Sequence, residues 1–154
     1  MKNFIKSYIS LGFIGYSKIS PGTLGSLIAI LLLFPFFYFN FFSFIIYWVF
    51  FLIIILISIF TINSFNKEMN EHDSKIIVID EFIGIYFVFL FYDIIFYKSH
   101  IITCIFIFLI FKFFDIIKIF PANLIDKKML NSLGVILDDI IAGIYTVITI
   151  YLIN

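Results

Sequence analysis

Between Lys18 and Lys67 the chain carries no charged residue, an interval of 48 positions in a sequence of 154. Its apolar part, residues 27–62, would be about 54 Å long as one helix, against a bilayer hydrocarbon core of roughly 30 Å. Two spans that double back fit better, near 24–39 and 43–62, with a turn around Asn40 and a bend at Pro35. The whole chain is 64% hydrophobic and 13% charged, where soluble proteins average about half apolar and a quarter charged. The expected class is therefore an all-α, multi-pass membrane helical bundle, with about five apolar helices plus short interfacial helices. One domain over 1–154 is expected.

After a polar segment at 63–75, apolar character returns over 76–97, a turn follows at 98–100, and a fourth span covers 101–114. Residues 115–134 mix apolar and charged positions, as an interfacial helix and loop would. A fifth span is expected over 135–153. The N-terminus lacks a sustained apolar run ending in a small-residue cleavage site, so a cleaved signal peptide is not expected.

All ten basic residues are lysine. With a cytoplasmic N-terminus, Lys2, Lys6, Lys18, Lys67, Lys75, Lys118, Lys127 and Lys128 fall inside. Lys112 then sits near the inner end of the fourth span, and Lys98 alone falls outside, as the positive-inside rule requires. The formal net charge is zero, which gives no extended basic surface for nucleic acid. The single cysteine, Cys104, excludes a disulfide within the chain and reads as lipid-facing or core packing. His72 and His100 show no ligand spacing and are assigned to solvated turns.

The same topology sorts the carboxylates. Asp80 and Glu81 open the third span, Asp115 closes the fourth, and Asp138 and Asp139 open the fifth, all at one depth on the inner side. Only Asp93 points to the far side. Ionised groups in apolar surroundings are costly, and clustered carboxylates repel one another unless protonated or neutralised. A hard divalent cation, Mg2+ in the first instance, is the simplest neutraliser. Acids in the first turn of a helix also merely complement its dipole, so no single pair decides the matter. Gly84 and Gly143 each follow an acid by four positions, where a missing side chain lets a neighbouring helix or a ligand approach closely.

Two further motifs bear on the chemistry. Ser20-Pro-Gly-Thr-Leu-Gly-Ser26 precedes the first span, and Gly22, Thr23, Gly25 and Ser26 are candidates to hold a phosphate at a helix start; an ordinary turn and N-cap has the same composition. Lys118 lies one helical turn from Asp115 and is a candidate either to pair with it or to meet a phosphate. The absence of arginine removes the cysteine-phosphatase and haloperoxidase-like routes to phosphate chemistry. No aspartyl-phosphate motif or Walker loop is present either. Metal held by carboxylates and activating water against a phosphoryl group remains. A small transporter or channel subunit with an interfacial acidic cation site is the alternative.

The motifs SPGTLGS (20–26), IVIDEFIG (77–84), FFDIIKIFP (113–121), LIDKK (124–128) and GVILDDIIAG (134–143) together resemble the bacterial phosphatidylglycerophosphatase A family. The resemblance covers about residues 15–145. It implies a Mg2+-dependent lipid phosphatase of the bacterial cytoplasmic (inner) membrane, with its site facing the cytoplasm. Its expected substrate is phosphatidylglycerophosphate and its product phosphatidylglycerol, in phospholipid biosynthesis. It further implies metal ligands at Asp80, Glu81, Asp115, Asp138 and Asp139, catalytic carboxylates among Asp138, Asp139 and Asp80, and a Pro-Gly-Thr loop at Pro21, Gly22 and Thr23. Members often carry arginine where this chain has Lys112 and Lys127, which keeps the charge and loses the bidentate fork.

Overall fold

The computed structural model describes residues 2–69, 74–129 and 131–154. A short amphipathic α1 (Lys2–Ile9) leads through a 3-10 turn at Ile14–Tyr16 into α2 (Pro21–Tyr38). Pro21 is the first residue of α2, where the missing N–H costs nothing. The expected turn is present at Asn40, in the left-handed region with φ 48, and it sends the chain back down α3 (Phe44–Met69).

The third apolar stretch forms α4 (Ile79–Phe89) and the one-turn α5 (Tyr92–Ile95), broken at Leu90 and Phe91. α6 (His100–Ile117) returns, a short α7 (Ala122–Lys128) turns the chain, and α8 (Ser132–Ile153) closes it. Caps fix two of the starts. Ser99 Oγ accepts the Ile102 N–H at 3.3 Å, and Asn131 Oδ1 accepts the Gly134 N–H at 2.9 Å.

Four of these helices, Pro21–Tyr38, Phe44–Lys67, His100–Ile117 and Ser132–Ile153, are long and apolar enough to cross a bilayer. The stretch expected as the third span differs. α4 would be only about 16 Å long, yet Ile83, Ile85, Val88 and Phe89 are wholly buried. A helix that is apolar all round is a buried helix, and irregular backbone at membrane depth is tolerated where protein surrounds it. α4 is accordingly the hub of the bundle. It packs most extensively against α8, then against α2, and also against α3 and α6.

Two contacts tie the N-terminus to the bundle. The Val78 N–H donates to Ile9 O at 2.9 Å just ahead of α4, and Tyr8 Oη lies 3.0 Å from Ser58 Oγ of α3. At the opposite end Asn154 Nδ2 donates to Phe96 O at 2.9 Å. His100, expected in a solvated turn, is half-buried instead, with the Tyr92 hydroxyl 2.9 Å from its Nδ1 and the Tyr38 and Phe96 rings each 4.7 Å away. Aromatic neighbours from α2, α5 and the residue after α5 hold it there, a contact its own sequence spacing does not announce. His72 lies outside the described residues.

Candidate active site

Glycines set the depth of the site before any acid does. A Cβ at Gly84 of α4 would stand 2.8 Å from Asp139 O of α8, and one at Gly143 would stand 2.9 Å from Gly84 O. The two backbones therefore touch, as small residues permit between membrane helices. One turn back from Gly84 on α4 lie Asp80 and Glu81, and one turn back from Gly143 on α8 lies Asp139. Close approach of the helices brings these acids into reach of each other. Asp80, Glu81 and Asp139 each offer a carboxylate oxygen within 4.8 Å of the other two.

The third side is the first turn of α2. A Cβ at Gly22 would lie 2.0 Å from Glu81 Oε1 and 3.7 Å from Lys112 Nζ, so a side chain here would displace the Glu81 carboxylate. The first-turn amides of a helix have no intrahelical acceptor and carry its positive dipole end. Ser20, Pro21 and Gly22 present that end to a cavity of ≈ 590 Å³. The other phosphate-loop candidates stand elsewhere. Gly25 packs against Val78, and the wholly buried Ser26 donates from Oγ to Gly22 O at 2.9 Å. Thr23 is half-buried and, like Gly25 and Ser26, is not among the residues lining the cavity.

All five sequence-selected acids line this one cavity, but in two groups. Asp80, Glu81 and Asp139 form the inner trio, with Asp139 only 4% exposed. Asp115 is ion-paired with Lys112, one turn earlier on α6. Asp138 points about 100° away from Asp139 around α8, and its Oδ2 lies 2.6 Å from Lys118 Nζ. Lys118 is also 2.6 Å from Asp126 Oδ1 of α7.

The sequence leaves Lys118 between Asp115 and a phosphate, and the structure gives it different partners. α6 ends at Ile117, and Lys118 itself is left-handed with φ 48. That step turns the side chain off the helix face it would share with Asp115. Burial disfavours its ammonium, but the hydrogen bonds and charges of Asp126 and Asp138 more than offset this and hold its pKa above the usual lysine value. Asp126 belongs to the cavity and was not among the candidate residues; it lies eight positions from Lys118 across a turn, a spacing with no helical signature.

The residues present fit a divalent cation on one further ground. Among the described residues, Glu81 Oε2 is buried without a hydrogen-bond partner. A buried carboxylate oxygen with nothing to accept from is costly unless something positive meets it. Oxygen-only ligands from Asp and Glu suit Mg2+ or a similar hard ion rather than zinc or copper.

Fold and cavity together define an all-helical integral membrane protein with a carboxylate-lined polar pocket at one end of its bundle. Within that class, the chain belongs to the phosphatidylglycerophosphatase A family, whose model matches residues 8–154. It is also similar to the phosphatidylglycerophosphatase A of Haemophilus influenzae, at 36% identity over 87 residues, 56% of this chain and 51% of the relative. That similarity thus spans about half of the relative's length. No solved structure matches the chain.

Proposed function

We propose that the protein hydrolyses the terminal phosphomonoester of phosphatidylglycerophosphate, giving phosphatidylglycerol and inorganic phosphate, with Mg2+ as the required ion. The observation that carries this reading is the Asp80, Glu81 and Asp139 trio gathered within 4.8 Å inside a polar cavity, in a chain of this family. A cavity of ≈ 590 Å³ is within the usual range of about 300–1,000 Å³ for small-molecule sites, and so has room for a lipid headgroup.

Asp80, Glu81 and Asp139 would hold the ion, with Asp115 and Asp138 at its margin. Bound there, the ion supplies charge neutralisation and Lewis-acid polarisation of the phosphoryl group. The chain's own groups do the rest. Asp139 or Asp138 orients a water in line with the scissile P–O bond and accepts its proton as the water oxygen bonds to phosphorus. The lipid's glycerol oxygen leaves with the bonding pair and is protonated. Lys118 and the first turn of α2, which line the cavity, would neutralise phosphate oxygens where charge develops.

The lysine asymmetry supports a cytoplasmic-facing site in the bacterial inner membrane. The transport alternative calls for acids along the length of the bundle. Among the described residues the acids of α4, α6 and α8 meet at one end, while Asp93 lies on α5 beyond the break after α4.

Purified protein in detergent is expected to release phosphate from phosphatidylglycerophosphate when Mg2+ is supplied. Chelation should lower that rate by about a hundredfold or more, and re-addition should restore it. Undiminished turnover in excess chelator, or no release from the lipid with Mg2+ present, would overturn the reading.

A further inference from the structure

A second cavity, of ≈ 350 Å³, opens between α2 and α6. Leu27, Leu31 and Phe34 line it from α2, and Ile101, Cys104 and Leu109 from α6. The same two helices also reach the acidic cavity, α2 at Gly22 and α6 at Asp115. The second cavity's inner end, at Leu109, is one helical turn from Lys112, whose ammonium lies against Gly22 at the start of α2. Its far end is at Phe34 and His100, where the Tyr92 hydroxyl holds the histidine. Along α6 from Leu109 to Ile101 the groove runs about 12 Å, close to the roughly 15 Å depth of one leaflet.

We propose that this α2–α6 groove is the subsite for one acyl chain of the lipid substrate, so that headgroup and chain are read on the two sides of the Gly22–Lys112 contact. The proposal rests on the lipid-phosphate reading above. A phosphomonoester bound in the acidic cavity would put its glycerol near that contact, and a chain leaving past Lys112 would meet Leu27 and Leu109. The groove would thereby favour long-chain lipid phosphates over water-soluble phosphomonoesters. Each methylene that loses its apolar contact costs roughly fourfold in affinity.

The test uses the full chain in nanodiscs with Mg2+ present and, so that nothing turns over, a non-hydrolysable phosphonate analogue of phosphatidic acid carrying a diazirine in one acyl chain. Photolabel is expected on Cys104, Leu31 and their groove neighbours. Excess of the same phosphonate without the diazirine should suppress it, and phosphatidylcholine of the same chain length should not. Equal suppression by both lipids would mean ordinary annular lipid and would overturn the proposal. So would label spread evenly over α3 and α8, or a groove left unlabelled because a second protein helix covers it.

Two groove-filling variants, C104W and L31W, should lower kcat/KM on a long-chain substrate by about 10–50-fold, the loss of two or three methylene contacts. On a dihexanoyl substrate their turnover should stay unchanged. Leu31 is 64% exposed, so L31W leaves the bundle packing intact if C104W does not fold. Equal losses on both substrates, or none on either, would count against the subsite. Absence of phosphate release from any substrate by the unsubstituted protein would sink the phosphatase reading instead, and the photolabel would still report on the groove.

Discussion

Replacing Asp139 by Asn is expected to lower phosphate release by about 10²–10⁴-fold while leaving the helical content and thermal unfolding close to those of the unsubstituted chain. Asp139 is 4% exposed and shares the inner trio with Asp80 and Glu81. An amide there has nearly the same volume, so packing around Asp139 is preserved. It carries no charge, and its nitrogen offers donors where the trio needs acceptors. Loss of a like charge would relieve repulsion with Asp80 and Glu81, so the folded state should be no less stable, and the defect should lie in turnover alone. Steady-state phosphate release beside a thermal melt in the same detergent checks both halves. Near-normal turnover in Asp139→Asn would remove this residue from the mechanism.

The second large effect is expected at a residue that carries no chemistry. Gly84→Val should cut activity by at least about a hundredfold, the usual cost of misplacing reacting groups by about 1 Å. At this position a Cβ would stand 2.7 Å from the ring of the fully buried Phe111 and 2.8 Å from Asp139 O. A ring could in principle move, but a backbone carbonyl inside α8 cannot, so the helices must separate. Helix propensity works in the opposite direction, since Gly to Ala favours a helix interior by about 1 kcal/mol. Overpacking costs roughly 1–3 kcal/mol, and for Gly84→Ala the two nearly cancel in stability while the displacement of Asp139 remains. Activity should therefore fall in the order Gly, Ala, Val more steeply than the melting temperature does. Parallel loss of both would mean that Gly84 serves the fold and not the spacing of the acids.

Much of this arrangement is legible in the sequence for definite reasons. The uncharged interval from Ile19 to Asn66 is longer than one span, so the reversal at Asn40 follows from length alone. The four-residue spacing from Asp80 to Gly84 and from Asp139 to Gly143 marks one face of each helix, and those faces meet. The broken third crossing is not legible, because a buried helix and a lipid-facing one have the same hydropathy; only contact with α8, α2 and α3 distinguishes them. The division of labour between Asp138 and Asp139 is hidden for a related reason. Adjacent helical residues point about 100° apart; the Gly84–Gly143 contact turns Asp139 toward Asp80, while Lys118 links Asp138 to Asp126 of α7. Lys118 takes its partners from that same turn, through one left-handed residue at the end of α6.

On the proposed reading, acids from distant segments hold a hard cation between α4 and α8. Mn2+ binding followed by electron paramagnetic resonance on the detergent-solubilised protein tests it without reference to any substrate. The unsubstituted chain should bind Mn2+ in competition with Mg2+, and Asp80→Asn and Asp139→Asn should each weaken that binding by about tenfold or more. Binding unaltered in both variants, or no binding at all, would contradict it.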